Sequence, residues 1–345
     1  MNKFKSAIEI NGRLIGNKHP CYVIAEAGVA HFGDINKAFQ LLDMALEAQA
    51  DVFKLQHYKI DDLYHEDALE WKNRLRGREL SDEDVIRIKE RCDNYGITFM
   101  CTGHTESVLD FLDYEVNVPA FKIGSGELHN WDYLRNIARR RKPILLSIGM
   151  YNLDDIKKAI SVIEDCDNDA LSILHCVTNY PANPADINLL FMKSIGDFFG
   201  GPVGYSDHTE GTAIPLAAVA LGANVLEKHI TLEKNVPNAQ DWKVSCDPSN
   251  FKNFVRDIRQ IEISLGKPEK IISDKELTSV SWARKSLVAK NFISMNEVVE
   301  KSMFLVQRPG TGLSPSYLDI IQGKVAARDI NPGEFVQESD FKKID

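Results

Sequence analysis

Residues 204–234 read GYSDHTEGTAIPLAAVALGANVLEKHITLEK. Two short apolar runs, each closed by a histidine set among charged residues (His208 and His229), flank a stretch of small residues with helical spacing. The pattern is strand, helix, strand. Working outward, the same rhythm recurs from residue 20 onward. Strand candidates are CYVIAEAG (21–28), DVFKLQHY (51–58), ITFMCTGH (97–104), AFKIGSGE (120–127), PILLSIGM (143–150), LSILHCVTNY (171–180), PVGYSDHT (202–209) and NVLEKHITL (224–232). Between them lie segments such as INKAFQLLDMALEAQA (35–50) and DEDVIRIKERCDNYG (82–96), and SNFKNFVRDIRQIEISLG (249–266) follows the last. Their apolar residues recur three and four apart, as on a helix packed on one face. Strands alternating with amphipathic helices predict parallel βαβ units, and eight of them in about 250 residues predict a closed (β/α)8 barrel of the TIM type. An open dinucleotide fold would need G-x-G-x-x-G after the first strand, and EAGVAHFGD (26–34) has the wrong spacing.

The rhythm stops after Gly266. Charged, weakly periodic sequence follows, and then short strand-like runs (SLVAK, EVVE, MFLVQ, KVAARDI) around the turn-rich RPGTGLSP (308–315). The expected organisation is a catalytic barrel over 1–270, a linker over 271–284 and a small β-rich domain over 285–345. At about 60 residues the last would be marginal alone and is expected to lean on the barrel or on a second subunit.

Of 345 residues, 44% are hydrophobic and 26% charged, with a formal net charge of −9. That composition belongs to a globular chain with a real core. It argues against a nucleic-acid surface, which would show a basic stripe, but leaves room for a local cationic pocket. The six cysteines (21, 92, 101, 166, 176, 246) lack C-x-x-C spacing, which excludes the usual zinc frameworks and a disulfide scaffold. Those in strand-like runs are expected to be small buried thiols. No stretch approaches the ~18 apolar residues of a membrane span, and the N-terminus lacks an apolar signal core. A cytoplasmic protein is expected.

Active sites of such barrels lie at the C-terminal ends of the strands. Those ends carry Glu26, Lys54 with Gln56, Thr102, Lys122 with Ser125 and Glu127, Ser147, Tyr180, Ser206 with His208, and Glu227 with His229. Cations, hydroxyls, carboxylates and imidazoles together suit an anion and a polyhydroxylated partner. Residues two apart share a strand face, so Ser206 pairs with His208, Glu227 with His229, and Ser125 with Glu127. Adjacent strands set His208 beside His229. The pair suits a divalent transition metal with open positions, or equally two independent histidines bonded to carboxylates or backbone. KIGSGE (122–127) reads as a phosphate cradle or as a structural turn. A lysine within a strand is costly unless it meets an anion. The charges of RLRGRELSDEDVIRIKER (74–91) and ARRRK (138–142) read as solvated helix faces.

YVIAEAGVAHFGD, FKLQ, FKIGSGEL, GYSDHTEG, ALGANVLEKHITL and RPGTGLSP, in this order, resemble the sialic acid synthase family, which includes legionaminate and pseudaminate synthases. The similarity runs over roughly residues 18–340. It implies a barrel followed by an antifreeze-like (SAF) cap domain, in a domain-swapped homodimer serving surface polysaccharide biosynthesis. It also implies a reaction. Phosphoenolpyruvate adds through C3 to the aldehyde of an N-acylated mannosamine-type sugar, water attacks C2, and phosphate leaves by C–O cleavage. His208 and His229 match the family's metal ligands, with Mn²⁺ expected first and Mg²⁺ or Co²⁺ as alternatives. Lys54, Lys122, Ser125 and Ser206 match residues around phosphoenolpyruvate; Gln56, Tyr180 and Glu26 match positions near sugar and metal. Thr102 is retained in a changed setting, Glu127 is a candidate to handle the attacking water's proton, and Arg308 matches the arginine that a partner's cap domain extends to the sugar's N-acyl group.

The chain also departs from the family. Ala30 and Phe32 replace two asparagines, CTGH (101–104) replaces Ser-Thr-Pro-Phe, and Asp241 aligns with the sugar-holding aspartate only across an inserted residue, followed by Trp242 in place of histidine. These changes imply retained chemistry with an altered acceptor. A barrel making a shorter 3-deoxy-2-keto acid, or a non-catalytic sugar-binding barrel, are the alternatives.

Overall fold

Eight strands form one parallel sheet in the order β5-β4-β3-β10-β9-β8-β7-β6: β3 (Tyr22–Gly28), β4 (Val52–Gln56), β5 (Thr98–Thr102), β6 (Phe121–Ile123), β7 (Ile144–Ser147), β8 (Leu171–Cys176), β9 (Val203–Asp207) and β10 (Val225–His229). They follow the hairpin β1 (Ala7–Ile10) and β2 (Arg13–Gly16). The structure, a computed structural model, describes residues 4–343 except 238 and 240, which fall within the PNAQDWKVS stretch around Asp241. The first and last barrel strands pair directly, with Glu26 opposite His229. β5 and β6 lie side by side, and there the Tyr133 hydroxyl donates to the Gly103 carbonyl at 2.7 Å.

The helices follow from local chemistry. Asp34 caps Ile35–Glu47, Ser81 caps Asp82–Tyr95, and Asn152 with Asp155 forms a capping box on Leu153–Glu164. Alternate strand residues such as Val23, Phe53, Phe99, Phe121 and Leu226 pack beneath the helices. The intervening ones turn inward. Tyr22, Ile24, Val52, Met100, Leu145, Leu174 and Val225 fill the lower barrel together with Ile8, Ile10 and Ile15 of the hairpin, which plugs its N-terminal end. One inward position further along, the apolar filling ends on seven of the eight strands, where Glu26, Lys54, Thr102, Lys122, Ser147, Ser206 and Glu227 take over, while β8 places Cys176 there.

Behind the mouth, facing the helices, Asp207 and Lys228 form a fully buried ion pair between β9 and β10. The Lys228 ammonium also donates to the Thr209 carbonyl at 2.9 Å, and Asp207 accepts from the Thr209 hydroxyl at 2.8 Å. These are the charges that flank each histidine in the sequence. They bind the two strands together and leave His208 and His229 to face the barrel axis.

The chain divides into compact units at residue 266. The second opens with short helices Asp274–Thr278 and Val280–Ala283. Its antiparallel pairs are β11 (Ser286–Ala289) with β12 (Phe304–Gln307) and β13 (Val325–Ala326) with β14 (Phe341–Lys342). Leu287, Ile293, Val299, Ile321, Ile330 and Val336 form its core. Among the described residues, no helix is long and apolar enough to cross a membrane.

Candidate active site

At the C-terminal mouth of the barrel an inner chamber of about 180 Å³ is lined by Glu26, Lys54, Gln56, Thr102, Lys122, Ser125, Ser147, Tyr180, Ser206, His208, Glu227 and His229. Ten of these are among the candidates singled out above; Ser147 and Glu227 stand at strand ends without having been assigned a role. The Lys54 ammonium lies 2.7 Å from Glu26 Oε2 and 3.7 Å from Glu227 Oε2, and donates to Thr102 Oγ1 at 3.0 Å. Lys122 lies 3.4 Å from Glu227 Oε1, which also accepts from the Ser206 hydroxyl at 2.9 Å. Gln56 donates to the free side of Glu26 at 3.1 Å. These four charges are at least 95% buried, and each buried ion costs several kcal/mol of desolvation even when paired. Stability alone would favour apolar residues here.

The environment separates the two carboxylates. Burial and the charge of Glu227 outweigh Lys54 and raise the pKa of Glu26. Glu227 lies between two ammonium groups, which overcome its burial and hold it ionised. Burial would strip Lys54 of its proton, but Glu227 and Glu26 more than restore it. The Ser147 hydroxyl is buried against the chamber with no hydrogen-bond partner among the described residues. Ser125 accepts from the Gly149 amide at 2.9 Å.

The imidazoles of His208 and His229 stand with ring centroids 5.5 Å apart. Burial lowers both to about 4, so both are neutral at ordinary pH. His208 Nδ1 faces the Val177 carbonyl at 2.8 Å. A carbonyl only accepts, so the proton is on Nδ1 and the Nε2 lone pair points to the mouth, where the Tyr180 hydroxyl donates to it at 2.8 Å. The Asp241 carboxylate is 4.0 Å from His229 Nδ1. Gly28 has φ +53°, and a Cβ there would meet Glu26 Oε1 at 3.5 Å and Gln56 Nε2 and Asp241 Oδ2 at 3.7 Å. Bare backbone at this point lets the three polar groups converge beside His229.

The inner chamber opens into an outer one of about 530 Å³, to which Gln56, Tyr180 and His229 are common. Glu127 and Asp241 line the outer chamber. The expected strand AFKIGSGE ends at Ile123, and Ser125–Glu127 forms a 3₁₀ turn. The shared-face expectation for Ser125 and Glu127 is therefore corrected: alternation lapses in the turn, and only Ser125 points inward. Glu127 instead accepts from Asn130 at 2.9 Å and faces His104 at 3.5 Å. A second correction concerns charges read as solvated: Arg74 and Arg78 line the outer chamber with Tyr58, Tyr64 and Trp71. In the other such stretch, Arg140 pairs with Asp110 and Asp113 with only 8% of its side chain exposed. Arg308 lies in the second unit, exposed just beyond β12. All six cysteines are unpaired, five of them buried.

The model of the NeuB family matches residues 41–270, and that of the SAF domain residues 284–342. The chain belongs to the NeuB family. The N,N'-diacetyllegionaminic acid synthase of Legionella pneumophila is 38% identical to it, covering 94% of this chain and 96% of that protein. The human N-acetylneuraminate-9-phosphate synthase is 34% identical, over 86% and 85% of the two chains. The crystal structure of an N-acetylneuraminic acid (sialic acid) synthetase from Leptospira borgpetersenii, in complex with citrate, superposes with a TM-score of 0.73 at 31% identity, covering 79% of this chain and 95% of that one. Against this NeuB background the departures fall in one place. Ala30, Phe32 and Trp242 line the outer chamber only, and His104 lies where the two chambers meet, while Lys54, Lys122, Ser125, Ser206 and His208 line the inner one.

Proposed function

We propose that this NeuB-family chain is a nonulosonic acid synthase. In this reading C3 of phosphoenolpyruvate bonds to C1 of an open-chain N-acylated mannosamine-type sugar, water adds at C2, and phosphate leaves with its bridging oxygen to give a nine-carbon 2-keto acid. The observation that carries it is the division of the mouth: an inner chamber of buried ammonium and hydroxyl groups, holding two neutral imidazoles, opens beside one of them, His229, into an outer chamber of aromatic walls.

Lys54 and Lys122 would neutralise the carboxylate and phosphate of phosphoenolpyruvate and stabilise the charge that grows as phosphate departs. Ser125, Ser147, Ser206 and Thr102 would complete its hydrogen bonds. Gln56, Tyr180, Asp241 and Glu26 would hold the sugar, and Glu127 would take the attacking water's proton. The residues also fit a divalent ion. His208 and His229 are neutral nitrogen donors, one fixed in its tautomer by a backbone carbonyl. Among the described residues no three His, Cys, Asp or Glu side chains close on one point, so water and substrate would complete the coordination. A bound Mn²⁺, or Mg²⁺ or Co²⁺, would polarise the aldehyde as a Lewis acid. Arg308 would reach the sugar from the SAF domain of a second copy in a homodimer.

The test is phosphate release from phosphoenolpyruvate with Mn²⁺, with and without EDTA. Acceptors are N-acetylmannosamine, its 6-phosphate, and 2,4-diacetamido-2,4,6-trideoxyhexoses. Acceptor-dependent, EDTA-sensitive release is expected. Release that needs no acceptor, or none from folded, metal-loaded protein with any of them, would sink the reading.

A further inference from the structure

The wall of the outer chamber is built by the segment 57–81, an excursion between β4 and the helix Asp82–Tyr95 that contributes Tyr58, Tyr64, Trp71 and Arg78. The loop after β3 meets it at two consecutive residues. Gly33, at φ +75°, lies so close that a Cβ would come within 2.5 Å of the Gly77 carbonyl oxygen. Phe32 sets its ring 4.9 Å from the Arg78 guanidinium carbon and 5.4 Å from the Lys37 ammonium, within cation–π range of both. Phe32 does so from φ +51°, a left-handed conformation rarely adopted by bulky side chains and better tolerated by asparagine or glycine. The backbone therefore holds the ring against local preference, and the ring lines the chamber.

We infer that Phe32 is a positioning and specificity-determining residue: its ring anchors the 57–81 segment through Arg78 and presents an apolar face to the acceptor. The acceptor part rests on the proposed function; the anchoring does not. With Val29, Ala30 and Trp242 on the same chamber, the wall selects a sugar bearing methyl and acyl groups over a fully hydroxylated one.

The experiment compares Phe32→Asn and the ring-retaining Phe32→Tyr with the unaltered full chain. Hydrogen exchange is followed over residues 60–78. Calorimetry measures binding of N-acetylmannosamine and of a 2,4-diacetamido-2,4,6-trideoxyhexose with phosphoenolpyruvate present. In Phe32→Asn, exchange over 60–78 should quicken roughly tenfold, and the preference for the deoxy sugar should shrink by a similar factor. The thermal midpoint should hold or rise, because asparagine relieves the backbone, and phosphoenolpyruvate affinity should be unchanged. Phe32→Tyr should restore both exchange and preference. Unchanged exchange over 60–78 overturns the anchoring; an unaltered sugar preference, or binding of neither sugar by the unaltered chain, overturns the specificity. Absence of phosphate release with the binding and exchange results intact would count against the proposed reaction alone.

Discussion

Ser147 carries an unmet demand at the residue scale. A buried hydroxyl without a partner costs about 1–3 kcal/mol, and this one faces the inner chamber. Water in the unliganded chamber can meet that demand, so removing the hydroxyl costs the free protein little, whereas with an anion bound it removes a hydrogen bond. Ser147→Ala is therefore expected to leave the thermal midpoint nearly unchanged, while KM for phosphoenolpyruvate rises about tenfold. A lower midpoint with unaltered KM would make Ser147 a packing residue. His208 gives a complementary test. His208→Asn should abolish Mn²⁺ binding measured by electron paramagnetic resonance, and activity with it, because asparagine lacks the imidazole donor; retained Mn²⁺ affinity would refute the ligand assignment. Glu26, Lys54, Ser206 and His229 were legible in the sequence because strand alternation is strict: once one inward residue is placed, the rest of that strand follows. Glu127 was misplaced because that rule lapses in the turn after Ile123.

At the scale of elements, β9 and β10 are joined on their outer side by Asp207 and Lys228, both almost wholly buried. Removing one partner strands the other charge in a dry site, which costs about 3–5 kcal/mol. Lys228→Met should therefore unfold at markedly lower denaturant, measured by urea titration. The double change Asp207→Leu with Lys228→Met should recover much of that loss, since no charge remains uncompensated; simple additivity of the two single losses would show that the pair is not coupled. The strands and helices were readable from apolar periodicity. The plugging hairpin was not, because Ala7–Ile10 and Arg13–Gly16 are four residues each and precede the repeating rhythm. Arg74 and Arg78 were hidden for another reason: charge pattern marks a polar surface, and only the path of the 57–81 excursion turns that surface toward the chamber.

For the whole molecule, acid sensitivity follows from histidines that folding keeps neutral. Burial lowers His31, His208 and His229 to about 4 and also depresses His57 and His175. In the unfolded chain all five titrate near 6.5. Below that pH the unfolded state takes up protons the native state refuses, so stability is present above about 6.5 and is lost as pH falls toward 4. Glu26 and Asp51, whose carboxyls burial raises, act in the opposite sense, but they are outnumbered. Each histidine contributes up to about 1.4 kcal/mol per pH unit, against a total stability of about 5–15 kcal/mol for a typical domain. Cooperative acid unfolding is therefore expected above pH 4. His31 isolates one contribution. Its ring is buried, and its Nδ1 accepts from the Gly33 amide at 3.1 Å, a bond that asparagine's oxygen can replace. In His31→Asn, urea titrations between pH 6.5 and 4.5 should show the fall in stability reduced by about 1.4 kcal/mol per pH unit. An unchanged pH slope would mean that His31 protonates inside the fold, and the burial argument would fail at the residue where it is simplest.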